Sequence, residues 1–226
     1  MYEVFYDFCT LGTYSLALPF YREMAGEEIE KITKKYTREQ IVKMDEAFTI
    51  MVDDLEETSH DFLGEVFGEC ELANDRQGQF FTPYNVSLMM AKMTFNDSKE
   101  LIAEKGFMMV SEPACGSGGM IIALRQAMIE EKCNPSRDVF VTAQDVSEMA
   151  FKMCYIQLSL YGMGAEVIHG NTLTLETWRV LRTPVYWITD WPVRLGLRRL
   201  STPDDHPEAP TPTPAKERTQ GELFDQ

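Results

Sequence analysis

The sequence predicts an α/β protein, part of a doubly wound and largely parallel sheet, preceded by a helical lead-in. Three observations carry this. From residue 107 onward short apolar runs alternate with stretches of helical period. The first run is broken by three closely spaced glycines, Gly116, Gly118 and Gly119, directly before a helical stretch. Each of the three runs ends on an acid or an amide, namely Glu112, Asp145 and Asn171.

The elements follow in chain order. Thr37 and Gln40 form a capping-box pair, and Ile41, Met44, Phe48, Met51 and Leu55 then recur at helical spacing, so a helix is expected over 38–57. Phe62, Leu63, Val66 and Phe67 continue an apolar stripe toward a break at Asn74 and Asp75, which makes residues 1–75 the helical lead-in. Thr82 as cap and Pro83 in the first turn predict another helix, with Val86, Met89, Met90 and Met93 along its apolar stripe. Phe107 to Val110 reads as a strand closing at Glu112-Pro113, and Met120 to Glu130 as a helix. Val139 to Thr142 is the second strand, ending at Asp145. A helix through Met149, Met153, Ile156 and Leu160 follows, then a short third strand at Val167 and Ile168 that ends at Asn171. The apolar run 185–188 is a candidate fourth strand. The α/β domain is expected over 76–200, and 201–226, proline-rich with no large apolar residue before Leu223, as a disordered tail.

Composition limits function. At 226 residues, 44% hydrophobic and 25% charged, the chain is globular in type, and its net charge of -15 opposes loose electrostatic attachment to nucleic acid or anionic membranes. No apolar run approaches the roughly 20 residues that span a bilayer, and the acidic start has no basic segment leading an apolar stretch, so a cytoplasmic location is expected. Five cysteines without a C-x-x-C pair and three scattered histidines indicate reduced thiols and no metal site.

Ligands of doubly wound sheets sit at the carboxyl ends of the strands, where Glu112, Gly116, Asp145 and Asn171 fall. Gly116 and Gly118 match two glycines of a dinucleotide loop, but Ile121 stands where the third is required, and no phosphate-binding G-x-x-x-x-G-K-[ST] occurs. A cationic, phosphate-free cofactor with an amino-acid end and an adenosine end fits better. Backbone amides around residues 116–119 meet its carboxylate, the acid after the second strand takes ribose hydroxyls, and the polar residue after the third reaches adenine. S-adenosylmethionine is that cofactor. The alternative is a glycine turn that merely permits a tight bend.

Four blocks, in order, resemble the adenine-N6 DNA methyltransferases that form the modification subunits of type I restriction systems. They are Asp61-Phe-Leu-Gly-Glu-Val-Phe67, Gly78-Gln-Phe-Phe-Thr-Pro83, Glu112-Pro-Ala-Cys-Gly-Ser-Gly-Gly119, and Ala143-Gln-Asp145 with Gly170-Asn-Thr-Leu173. The resemblance spans roughly residues 60–175 and implies a Rossmann-like S-adenosylmethionine-dependent methyltransferase fold. It implies that Gln79, Phe80, Phe81, Thr82, Pro83 and Tyr84, with Glu112, Gly116, Ser117, Gly118 and Gly119, surround the cofactor. Asp145 would bind its ribose, and Asn171, standing where the family has an acid, would pair with N6 and N1 of adenine.

Methylating an adenine amino group requires an [DNS]-P-P-[YFW] turn after the fourth strand, and no such tetrapeptide exists in the sequence. Asp190-Trp-Pro192-Val is the nearest candidate; it reads as a divergent catalytic turn through Asp190 and Pro192 or as a packing corner. Arg179, Arg182, Arg194, Arg198 and Arg199, interleaved with Trp178, Tyr186, Trp187 and Trp191, are either a DNA contact or partners for the acidic body. Gln220, Leu223 and Phe224 resemble the short peptides that dock on sliding clamps. The expected function is adenine-N6 methylation of DNA, with DNA reached through a specificity or second modification subunit. The alternative is a catalytically inactive cofactor-binding module that acts through a restriction or replication partner.

Overall fold

The computed structural model describes residues 1–69, 82–95 and 98–196. Four helices lead: α1 (Tyr2–Ala17), α2 (Arg22–Thr33), α3 (Arg38–Glu57) and α4 (Phe62–Glu69). The predicted capping box opens α3: the Gln40 amide donates to Thr37 Oγ1 at 3.3 Å, and the Thr37 amide donates to Gln40 Oε1 at 2.8 Å. Met51 and Leu55 of its stripe are buried, and Phe48 packs half-buried against them.

The helix after Thr82-Pro83, α5 (Tyr84–Phe95), starts where expected, but its inward face differs. Ser87, Ala91 and Phe95 are buried, whereas Val86, Met89, Met90 and Met93 are 42 to 73% exposed. Both sides of α5 carry apolar residues, so helical period alone could not choose between them. A short α6 (Ser98–Lys105) leads into the sheet.

The sheet holds β1 (Met108–Glu112), β2 (Val139–Asp145), β3 (Gly164–Asn171) and β4 (Glu176–Arg182), in that spatial order. The first three run parallel through the crossover helices α7 (Gly119–Glu130) and α9 (Glu148–Leu160), with the one-turn α8 (Pro135–Asp138) before β2. This is the predicted β-loop-α-β-α-β unit, one half of a Rossmann-like sheet.

The expected fourth strand is corrected. Residues 185–188 lie in a helix, α10 (Pro184–Ile188), because Pro184 fixes the first turn and Thr183, extended before it, donates its hydroxyl to the Met163 carbonyl at 2.7 Å. The fourth strand is instead β4, which returns antiparallel to β3 after a turn. In a full doubly wound sheet the fourth strand lies on the far side of β1. Among the described residues β1 pairs with β2 alone, and Met109 on it is 64% exposed.

The core lies between the sheet and α7 and α9, and the lead-in packs on the outside of α9. Every residue of α9 from Met149 to Leu158 is therefore buried, including the polar Lys152 and Gln157. Lys152 sits over the Tyr6 ring, pairs with Glu148 at 3.0 Å and donates to Thr10 Oγ1, while burial holds its pKa below the usual lysine value. Among the described residues no helix is long and apolar enough to cross a membrane. Gln220, Leu223 and Phe224, with the expected tail, lie outside the described residues.

Candidate cofactor site

The strand ends gather the predicted residues at one edge of the sheet. Glu112 closes β1, Asp145 closes β2 and Asn171 closes β3. Between β1 and α7 the chain makes a tight turn in which Gly116 (φ 54°) and Gly118 (φ 100°) adopt the left-handed conformation that side chains disfavour. The turn is pinned to β2 by the Cys115 amide donating to the Gln144 carbonyl at 2.9 Å, and closed by the Gly118 amide donating to the Cys115 carbonyl at 2.9 Å. Gly118 is the N-cap of α7 and offers no side chain, so the first amides of that helix remain for a ligand.

Asp145 is 9% exposed. Its Oδ2 accepts from the Gly116 amide at 2.9 Å and its Oδ1 from the Ser147 amide at 2.8 Å. A carboxylate offers about four lone pairs, so each oxygen keeps one for a ribose hydroxyl, and the carboxylate is already oriented. Asn171 is more constrained than its sequence position suggests. Its Oδ1 accepts from the Leu173 amide at 2.9 Å and the Thr174 amide at 3.3 Å. Only its Nδ2 hydrogens are left, so Asn171 suits donation to adenine N1 and not acceptance from N6. Above Asp145 the Thr172 hydroxyl donates to the Pro113 carbonyl at 2.7 Å, linking the ends of β3 and β1. Val146, next to Asp145, is 58% exposed and supplies an apolar surface beside that carboxylate. Sequence reading passed over Val146 because a lone valine after a strand carries no pattern.

Ser117 takes a different role from the one expected. It is 1% exposed, and its hydroxyl donates inward to Asp61 Oδ2 at 2.5 Å, so only its backbone is available to a ligand. Glu112 accepts from the Ala114 amide at 3.2 Å and shapes the same turn.

Among the other predicted residues, Tyr84 lines a second surface, a groove of about 760 Å³ with Ser59, Leu88, Arg125 and Tyr161; its hydroxyl is buried without a hydrogen-bond partner, and burial pushes its pKa up to about 12. That groove runs along the outer side of α7, away from Asp145. Thr82 and Pro83 are exposed, and Gln79, Phe80 and Phe81 lie outside the described residues.

The Asp190-Trp191-Pro192 turn is a packing corner at the opposite end of the sheet. Trp191 is fully buried, its indole nitrogen donates to the Ser136 carbonyl at 3.0 Å before β2, and its ring lies on Gly164 at the start of β3. Seven residues of β2 separate that corner from Asp145, roughly 20 Å at strand rise. Asp190 caps the one-turn α11 (Trp191–Arg194) without a side-chain hydrogen bond. Nor do the described arginines form a free basic face. Arg179 binds the Tyr14 hydroxyl and faces Glu28, Arg182 pairs with Glu166 at 2.6 Å, and Arg194 donates to the Gly106 carbonyl at 2.7 Å. Arg198 and Arg199 lie outside the described residues. Among the described residues no group of three His, Cys, Asp or Glu side chains could hold a metal ion.

The donor set fits S-adenosylmethionine. Two carboxylates, Glu112 and Asp145, stand at the mouth and disfavour a pyrophosphate but suit a ligand carrying sulfonium and ammonium charges. Ile121 is buried in the core at the position where a dinucleotide loop needs glycine. A solved structure from Listeria monocytogenes, described as a class I S-adenosylmethionine-dependent methyltransferase, is similar at 13% identity and a TM-score of 0.37. The match covers 73% of this chain and 52% of that one, so the chain spans about half the length of that protein. No curated protein matches. The family model of N-6 DNA methylases matches residues 58–192, more than half of the chain and all of the described sheet. The chain belongs to the N-6 DNA methylase family, whose cofactor is S-adenosylmethionine.

Proposed function

We propose that the chain serves methylation of adenine N6 in DNA as the cofactor-holding part of an assembly like the type I modification complex. The observation that carries this is the pre-oriented Asp145 carboxylate beside the glycine turn, with one lone pair open on each oxygen. Bound S-adenosylmethionine would supply an electrophilic methyl group. In this reading the amides of Ser117 and Gly119 and the start of α7 hold its carboxylate, Asp145 holds the ribose hydroxyls, and the Asn171 amide donates to the adenine ring.

Two further observations support a role that depends on a partner. The Asp190 turn lies roughly 20 Å from the strand ends. The edge of β1 where a fourth parallel strand would stand has no described neighbour. The acceptor pocket for the flipped adenine is then supplied by a second modification subunit, and sequence choice by a specificity subunit. The second reading, a cofactor-binding module without catalysis, is favoured by the same two observations. Transfer of a labelled methyl group to DNA, measured with the chain alone and with candidate modification and specificity subunits, separates them. Turnover only in the complex supports the first reading, and cofactor binding without turnover in any complex supports the second.

A further inference from the structure

Asp61 has the position of an ordinary helix cap. It precedes α4, its backbone carbonyl accepts from the Glu65 amide at 2.9 Å, and its Oδ1 accepts from the Gly64 amide at 3.0 Å. Capping needs one oxygen and is usually done at the surface. Asp61 is only 5% exposed, and its second oxygen, Oδ2, accepts from the hydroxyl of Ser117, 56 residues further along, at 2.5 Å. Gln157 of α9 completes the junction. Its Nε2 donates to Asp61 Oδ1 at 2.8 Å and to the Ser117 carbonyl at 2.8 Å, and its Oε1 accepts from the Leu63 amide at 3.1 Å. Every polar atom of the Gln157 amide group has a partner, and both Gln157 and Ser117 are buried.

Two glycines exist for this carboxylate. A Cβ on Gly119 would stand 2.7 Å from Asp61 Oδ2, and one on Gly64 would collide with the same oxygen and lie 2.6 Å from Ser117 Oγ. Neither residue has a positive φ, so close approach, not backbone conformation, is what demands glycine at both. The last glycine of the turn is thus matched to an acid in the lead-in.

We infer that Asp61 is a positioning residue for the cofactor turn: from the lead-in it locks the Ser117 hydroxyl and so fixes where the backbone amides of Ser117 and Gly119 point. The inference rests on the reading of that turn as the seat of the amino-acid end of S-adenosylmethionine. A charge-assisted hydrogen bond in a buried site holds its donor more rigidly than a neutral one, and this one acts on the residue directly before Gly118, the N-cap of α7. Folding of the lead-in onto α9 and the geometry of the turn are then a single event. The other half of the cofactor site, at Asp145 and Asn171, is held by hydrogen bonds independent of Asp61 and meets the turn only at the Gly116 amide.

That independence supplies the test. Asp61→Ser keeps a cap for α4 but is too short to reach Ser117; Ser117→Ala removes only the hydroxyl and leaves α4 and its cap untouched, so one variant remains if the other fails to fold. Asp61→Asn keeps the Oδ1 acceptor and presents a donor that the Ser117 hydroxyl accepts by turning round. Calorimetric titration is done with S-adenosylmethionine and with 5′-methylthioadenosine, which has the adenosine but no amino-acid end. Asp61→Ser and Ser117→Ala are expected to weaken S-adenosylmethionine about tenfold and 5′-methylthioadenosine by less than about twofold, with Asp61→Asn intermediate. Unchanged S-adenosylmethionine affinity in the folded variants would overturn the inference, and so would an equal loss for both ligands, which marks a merely structural residue. If the unaltered chain binds neither ligand, the cofactor reading itself falls and this inference falls with it.

Discussion

Asp145 shows how much a single side chain is prepared before any ligand arrives. Its two oxygens hold the glycine turn through Gly116 and the start of α9 through Ser147, so it orients itself by the same bonds that orient its neighbours. Asp145→Ala should therefore lower S-adenosylmethionine affinity by at least tenfold and also lower the melting temperature, because two part-buried amides lose partners worth roughly 1 kcal/mol each. Gly118→Val should do both as well, since a β-branched residue at φ 100° is strained; calorimetry and thermal unfolding read the two effects separately. His60 gives a pH prediction. Burial opposes its charge, but Asp54 at 2.5 Å from Nε2 and Glu65 at 3.0 Å from Nδ1 outweigh burial and raise its pKa above the usual histidine value. A raised folded pKa stabilises the protein fully below the unfolded value of about 6.5 and is lost as pH rises through the folded value. The melting temperature should thus fall on going upward from pH 6.5, and His60→Gln should flatten that slope. At this scale the sequence showed which residues stand at strand ends but not what their atoms already hold. Asn171 was legible as the polar end of the third strand, yet the turn occupies its acceptor. Asp61 stood in the sequence only as the first residue of a block, and its partner Ser117 is too distant in sequence for any local pattern to reveal.

Elements were read well where one signal dominated. The capping box fixed α3, and strand, glycine and helix fixed the β1–α7 unit, because both signals are local and chemical. Where a short apolar run had two admissible states, tertiary context decided: residues 185–188 became α10 because Pro184 and the Thr183 hydroxyl set its first turn, and β4 went unseen because Glu, Thr, Arg and Trp in an edge strand give no apolar alternation. Lys152 and Gln157 are polar and yet buried in α9 beneath the lead-in, a layer no single-helix pattern encodes. The corner built by α10 and α11 carries its own prediction. Trp191 is fully buried against Phe107 and Phe140, with ring centroids 5.3 Å away in both cases, and its indole nitrogen is bonded. Trp191→Ala should cost about 3 to 5 kcal/mol of stability while leaving S-adenosylmethionine affinity of the folded protein unchanged, because the corner stands at the opposite strand ends. A large loss of affinity in a folded Trp191→Ala protein would return the Asp190 turn to the cofactor site.

The whole molecule joins a strand-end edge carrying Glu112, Asp145 and Asn171 to an acceptor side that its described residues do not build. All three acid or amide strand ends lie on one edge, and the half-sheet that holds them is braced by the lead-in through α9. Beyond β1, where a doubly wound sheet continues and where a ligand crevice opens at the reversal of strand order, no described strand stands. The charge points the same way. A net charge of -15 repels a polyanion, and Arg179, Arg182 and Arg194 are engaged inside the chain, so among the described residues these arginines present no free basic face. Methyl transfer needs the acceptor nitrogen held in line with the sulfonium methyl to within a few tenths of an ångström, and positioning of that kind accounts for several orders of magnitude in rate. The purified chain should accordingly bind S-adenosylmethionine but transfer its labelled methyl group to DNA slowly or not at all, at least 100-fold below the rate reached when modification and specificity subunits are added. Asp145→Ala should abolish the rate of the complex, which ties that turnover to this chain's cofactor and not to one held by the added subunit. Robust transfer by the chain alone would refute the division of labour and place the acceptor pocket within this polypeptide.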